Sequence, residues 1–167
     1  DQHGGQSIPN FDYGMALGVA KTYSRLYKQN MAKALELLTG KSDAAALVND
    51  VSKKIAEEDG VSPTLVPNER YMEMEKKYLM EFIPDADVVR KAQDFATGKA
   101  QAETDRNTYQ AMEAFIHNLN TMHSRAGAQV PFSSINYGTD TSPEGRMVIK
   151  NVLLATEAGL GNGETPI

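Results

Sequence analysis

Apolar positions recur in steps of three and four along most of this chain, and the helices they predict lead to one short alternating run. From about Asn10, the positions Met15, Val19, Tyr23, Leu26 or Tyr27, Met31, Ala34 and Leu38 mark one face of a long helix. Asn10 or Asp12 can cap its start, and Gly40 with Lys41 is a reasonable stop. That is about seven turns, long for a globular helix. Gly14 and Gly18 would let another backbone pack closely near its start. Tyr23 and Tyr27, four apart, read as a packing pair rather than a binding box.

Ser42 or Asp43 caps a second helix with Leu47, Val48, Val51 and Ile55 on one face and Gly60 as its stop. Val61–Asn68 contains Pro63 and Pro67, which disfavour helix, and reads as a loop running over the surface. Asn68 caps a third helix, Glu69–Phe82, ended by Ile83-Pro84. Its charges (Glu69, Glu73, Glu75, Lys76, Lys77 and Glu81) are expected on a solvated face. Asp85 or Asp87 opens a fourth stretch through Val88, Val89, Ala92, Phe95 and Ala96, with an interruption expected at Thr97-Gly98. Helix resumes through Lys99–Arg106. Tyr109, Met112, Phe115 or Ile116, Leu119 and Met122 then mark a clear buried face, ended by Ser124-Arg125-Ala126-Gly127.

The period changes at Val130. Val130, Phe132, Ile135 and Tyr137 give a strand its β-branched and aromatic content, and Gly138-Thr139-Asp140 makes the turn after it. Thr141-Ser142-Pro143-Glu144 opens the last helix, with Thr141 as cap, Glu144 three residues on and Pro143 near the first helical position. At the other end, Asp1–Pro9 is a polar lead-in whose Gly4-Gly5 suits a tight turn or a backbone approach to a ligand. The predicted fold class is mainly α, with long helices plus one or two strands. It forms a single fragment, residues 1–127 being the helical part and 128–167 the strand, turn and helix.

Composition adds limits. The 167 residues suit one domain, and 41% hydrophobic with 23% charged residues is ordinary for a soluble globular protein. A net charge of −5 gives no electrostatic footprint for nucleic acid. No run of about 18 apolar residues occurs, so no membrane association and a cytoplasmic location are expected. There is no cysteine, which excludes disulfides, thiolate metal sites and a cysteine nucleophile within the chain. The start at Asp1 and the end at Thr165-Pro166-Ile167 read as an internal piece of a longer protein, or as a processed natural chain.

Candidate chemistry narrows to one place. His117 and His123 are six apart, about 600° around a helix, so they share no face and make no zinc pair. His3 has no cysteine company, and no metal site is predicted. Gly159-Leu160-Gly161-Asn162-Gly163 follows a helix rather than opening one, so it reads as a helix stop and not a phosphate loop. The strand–turn–helix unit differs. Alternation puts Ser134 and Asn136 on one strand face and Ser133, Ile135 and Tyr137 on the other. Thr139 and Asp140 line the turn, and free N–H groups at the start of the Pro143–Ala158 helix face whatever lies beyond the strand. Two readings stay open at this level: a plain capped junction or a ligand site.

At these residues the chain resembles a known family. VPFSSINYGTDTSPEGRMVIKNVLLATEAGLGNGETPI looks like a segment of the anaerobic, oxygen-sensitive ribonucleoside-triphosphate reductases, the glycyl-radical class. DQHGGQSIPNFDYGMALGV resembles that family's lead-in to its long helices, while the middle, about Lys41–Thr108, is less distinctive. The resemblance implies a fragment of a ten-stranded α/β barrel enzyme that reduces ribonucleoside triphosphates to deoxyribonucleoside triphosphates. It also implies a homodimer, nucleotide (deoxynucleotide or ATP) effectors at the dimer interface, and formate or a thiol system as reductant. An activating enzyme with an iron–sulfur cluster and S-adenosylmethionine would install the glycyl radical, which oxidises a barrel cysteine to a thiyl that abstracts hydrogen from the substrate's C3′. Ser134, Asn136, Gly138 and Thr139 would lie near the substrate nucleotide, on an inward barrel strand.

The chain departs from the family pattern in having no cysteine, no Arg-Val-Cys-Gly-Tyr type of stretch and no cysteine-pair zinc segment. It is therefore expected to carry no catalytic residue or cofactor itself and to be inactive alone, with scaffold, a substrate-lining strand and dimer or effector surface as its contribution. The resemblance identifies no effector contacts. Two alternatives remain: a helical module that dimerises through its Met- and Tyr-bearing faces, or a piece of another glycyl-radical enzyme such as an acyl-transferring lyase.

Overall fold

Five helices and two short strands make up the described residues, 5–121 and 132–159 of a computed structural model. In chain order they are β1 (Gly5–Ile8), α1 (Phe11–Thr39), α2 (Ala44–Asp59), α3 (Glu69–Leu79), α4 (Ala86–Thr121), β2 (Phe132–Ile135) and α5 (Pro143–Ala158). The fold is mainly helical, as the periodicity predicts. The expected stop at Ser124–Gly127 lies outside the described residues.

The long first helix ends within a residue of its expected limits. Its buried stripe is Ala16, Val19, Tyr23, Leu26, Tyr27, Met31, Ala34 and Leu35, while Met15 and Leu38, expected inside, are exposed. Ala16, one position or about 100° on from Met15, is buried in its place, and the stripe ends at Leu35, three residues before Leu38. Gly14 and Gly18, expected at a close backbone approach, have nothing within 4 Å of where a Cβ would stand. Gly60 stops α2 with its N–H bonded to Ala56 O, and Asn68 Oδ1 caps α3 by accepting Arg70 N–H at 3.0 Å and Tyr71 N–H at 3.3 Å. That third helix closes at Leu79, three residues early. Phe82 and Ile83 N–H turn back to Leu79 O, because the chain must leave helical geometry ahead of Pro84.

The expected break at Thr97-Gly98 is absent: α4 runs unbroken from Ala86 to Thr121. Ala92, Ala96, Ala100 and Thr104 form a buried stripe at four-residue spacing. Its packing outweighs the roughly 1 kcal/mol that a glycine costs inside a helix. Phe95 is left outside as a result.

The chain forms two compact units, residues 20–104 and residues 1–19 with 105–167. Val48, Val51, Ile55, Leu79, Ile83 and Val89 are buried in the first, each worth about 1.5–3 kcal/mol as removed apolar surface. Two expectations fail here. The Val61–Asn68 loop is anchored rather than a surface excursion, with Pro63 and Leu65 buried and Gln101 Nε2 donating to Leu65 O at 2.9 Å. Glu75, assigned to a solvated face, is 1% exposed. Its Oε1 accepts Tyr27 Oη at 2.6 Å and Gln93 Nε2 at 3.0 Å, and Oε2 accepts Tyr71 Oη at 2.9 Å. Burial pushes this carboxyl up from its ordinary range, although its three donors act the other way. Tyr23 and Tyr27 do pack as a stacked pair, 6.1 Å between centroids.

The other unit holds the sheet. β1 and β2 pair in parallel, with Gly5 opposite Phe132 and Ile8 opposite Ile135. The polar lead-in read as a turn thus supplies a strand, because its partner lies far along the chain and completes the ladder. Phe11, Val19, Met112, Val148, Val152 and Ala155 form the core beneath, with Ile8, Ile135 and Phe115 partly buried against it. The Phe11 and Phe115 rings stack at 5.0 Å. Among the described residues, no helix is long and apolar enough to cross a membrane.

Candidate functional site

The carboxyl end of β2 is held by the start of α1. β2 is shorter than the expected Val130–Tyr137 strand, of which Val130 and Pro131 lie outside the described residues. Past Ile135 the chain stays pinned: Asn136 N–H donates to Ile8 O and Asn136 O accepts Phe11 N–H, both at 3.0 Å. Ser134 and Asn136 are exposed, whereas Ser133 and Ile135 are half-buried, in keeping with the predicted alternation. Tyr137, expected with the latter pair, is exposed because the ladder has ended before it.

The turn is built around Asp12, which is 0% exposed. Its Oδ2 accepts the N–H groups of Gly138 and Asp140, each at 2.9 Å, and its Oδ1 accepts Tyr13 N–H at 3.0 Å. The Thr139 hydroxyl lies 3.3 Å from Asn10 Oδ1 and 3.5 Å from Asp12 Oδ1, within donating reach of both. The backbone adopts two uncommon conformations to allow this, φ of 101° at Gly138 and of 51° at Asn10. Glycine meets the first without Cβ strain, and asparagine tolerates the second better than most residues. The Asp140 N–H, with those of Gly138 and Tyr13, holds the Asp12 carboxyl below the usual carboxylate range against the opposing effect of burial.

The start of α5 is more self-contained than its sequence suggested. Ser142, not Thr141, is the cap: its Oγ accepts Gly145 N–H at 3.1 Å, and Pro143 follows in the first turn. Asp140 Oδ1 accepts Ser142 N–H at 2.8 Å. A Cβ on Gly145 would stand 2.7 Å from Asp140 Cγ, so the close approach of this acid requires glycine there. With Arg146 N–H bonded to Ser142 O, Glu144 keeps the one first-turn N–H with no protein acceptor among the described residues. The free N–H groups expected at this end thus reduce to that of Glu144, since Gly145 and Arg146 are bonded to Ser142.

Of the four residues singled out from sequence, Gly138 and Thr139 gather on Asp12 and Asn10, while Ser134 and Asn136 present exposed side chains on the strand before them. Asp12 and Asn10 were legible only as candidate helix caps. An acid in the first turn of a helix that directly follows a strand was the available signal, but it names no partner 126 residues away. His117 is exposed on α4, and His3 and His123 lie outside the described residues. Gly159 ends α5 at positive φ, and the glycine run after it also lies outside them.

The chain matches the family described as anaerobic ribonucleoside-triphosphate reductase over residues 1–167. It is 40% identical over 73 residues to the anaerobic ribonucleoside-triphosphate reductase of Enterobacteria phage T4, covering 43% of this chain and 12% of that protein. Proteins of the same name from Salmonella typhimurium strain LT2 and Escherichia coli strain K12 are each 35% identical over 66 residues, covering 40% of this chain and 9% of theirs. The chain thus matches about a tenth of the length of these curated relatives. With the match spanning all 167 residues, the chain belongs to the anaerobic ribonucleoside-triphosphate reductase family.

Proposed function

We propose that this chain is part of an enzyme that reduces ribonucleoside triphosphates to deoxyribonucleoside triphosphates, and that its β2–α5 junction faces the substrate nucleotide. The family match along the whole chain is the observation that carries this reading. The exposed Ser134, Asn136 and Thr139 side chains and the ordered Gly138 backbone support it locally, since they offer uncharged hydrogen-bonding groups at the carboxyl end of a parallel strand. Ligands of α/β sheets bind at that end. A parallel pair of strands is rarely stable alone and is normally one part of a larger sheet covered by helices. The pair is therefore read as belonging to an α/β barrel completed by other parts of the enzyme.

Radical chemistry falls outside this chain. It contains no cysteine, so a thiyl and any zinc-binding thiolates would come from other segments, and its residues do not fit either group. The glycyl radical, its iron–sulfur and S-adenosylmethionine activating enzyme, nucleotide effectors and a homodimeric, cytoplasmic enzyme complete the proposal. What this chain supplies is binding and orientation.

The test is anaerobic turnover by the full-length polypeptide with its activating enzyme. Reduction of ribonucleoside triphosphates is expected, with a raised KM in Ser134→Ala and Thr139→Ala. Absence of any deoxynucleotide product from the radical-bearing protein would sink the reading.

A further inference from the structure

We propose that Asp12 is a positioning residue for the nucleotide, acting by fixing the backbone of Gly138–Asp140 from the first turn of α1. The inference rests on the reading of that loop as substrate-facing. A carboxylate serving its own helix would take N–H groups from that helix alone. Asp12 takes one, from Tyr13, and two more from a loop 126 and 128 residues away. No cation pairs with it among the described residues, so peptide N–H groups are its partners. The Gly138 and Asp140 N–H groups converge on a single oxygen, which fixes the backbone on both sides of Thr139, an exposed residue. The Thr139 hydroxyl in turn lies within donating reach of Asn10 Oδ1 and Asp12 Oδ1, both at the start of α1. The loop's backbone is therefore held by an acid with no solvent-exposed surface of its own, which acts through the loop. A carboxamide cannot replace it. It offers one oxygen where the carboxylate offers two, and it turns an N–H₂ donor toward peptide donors.

The test uses the activated full-length enzyme with Asp12→Asn, Asp12→Glu and Thr139→Ala. Substrate KM, kcat and hydrogen–deuterium exchange of peptides covering residues 136–142 are measured for each. Asp12→Asn is expected to speed exchange in that loop and to raise KM by about tenfold or more, since small misplacements of binding groups are costly. Asp12→Glu, which keeps the charge on a longer arm, is expected to lie between it and the wild type. A raised KM in Asp12→Asn supports the proposal whether or not Thr139→Ala shares it. An unchanged KM despite faster loop exchange or a lower melting temperature overturns it, leaving Asp12 a purely structural tether. If Asp12→Asn does not fold, the same two outcomes are read from Asp12→Glu. A raised KM in Thr139→Ala with none at Asp12 removes the positioning role alone, and no effect from any of these variants or from Ser134→Ala removes the substrate-facing reading itself.

Discussion

Asp12 and Asp140 lie 128 residues apart in the chain, and the carboxylate of the first accepts the backbone N–H of the second at 2.9 Å. Asp140 passes the constraint on, its own carboxylate accepting Ser142 N–H at 2.8 Å where α5 begins. Two acids in series thus connect the first turn of α1 to the cap of α5. This arrangement has a pH signature. The folded-state Asp12 carboxyl is held below its ordinary value of 3.8, so its contribution to stability is full above that value and is lost as pH falls through the folded one. Protection of the Gly138 and Asp140 amides, relative to their intrinsic exchange at each pH, should therefore fall on acidification below 3.8, and Asp12→Asn should show little protection at every pH. Exchange that is slow and unchanged in the variant would contradict the tether.

Glu75 has the opposite sign. Burial raises its folded-state carboxyl above 4.5, so its contribution is full below 4.5 and is lost as pH rises through the folded value. Urea unfolding over a pH series should show the wild type losing ground to Glu75→Gln above 4.5. Parallel curves would argue against a strained buried acid. Glu75→Ala also leaves the Tyr27, Tyr71 and Gln93 donors unpaired around a cavity, and should cost about 2–5 kcal/mol below 4.5, where the wild-type acid contributes in full.

The two candidate caps of α5 are separable. Ser142→Ala removes the acceptor of Gly145 N–H and should lower stability by about 1 kcal/mol, whereas Thr141→Ala should change it by less than about 0.5 kcal/mol. Thermal melts of the two variants decide between them. The reverse ranking would restore Thr141 as the cap.

Three glycines make a further contrast. Gly145→Ala places a Cβ 2.7 Å from Asp140 Cγ and should destabilise by about 1–3 kcal/mol as that acid is displaced. Gly14→Ala and Gly18→Ala meet nothing within 4 Å inside α1, and each should stabilise by about 0.5–1 kcal/mol. Denaturant midpoints of the three variants provide the check. A loss at Gly14 or Gly18 would reveal a packing partner on that face of α1.

The helices, their stops at Gly40 and Gly60 and the cap at Asn68 could all be read from the chain, because each depends on residues within a turn or two of one another. The change of period, the turn glycine and the helix-opening Pro143 are adjacent in sequence and marked a junction that could be plain or a ligand site. The family resemblance singled out Ser134, Asn136, Gly138 and Thr139 there. Locality also explains the errors. Gly98 looked like a break until the alanine stripe of α4 was buried, and Glu75 looked solvated until Tyr27, Tyr71 and Gln93 surrounded it.

By itself, then, the sequence marked out most of the helices, the strand–turn–helix junction that is the candidate site and the absence of thiol chemistry from its side chains. The tertiary structure decided that Gly5–Ile8 is a strand and that Asp12 governs the turn. Both depend on pairing groups separated by more than a hundred residues. A backbone N–H or a buried carboxylate carries no mark in the sequence of the distant partner that will satisfy it.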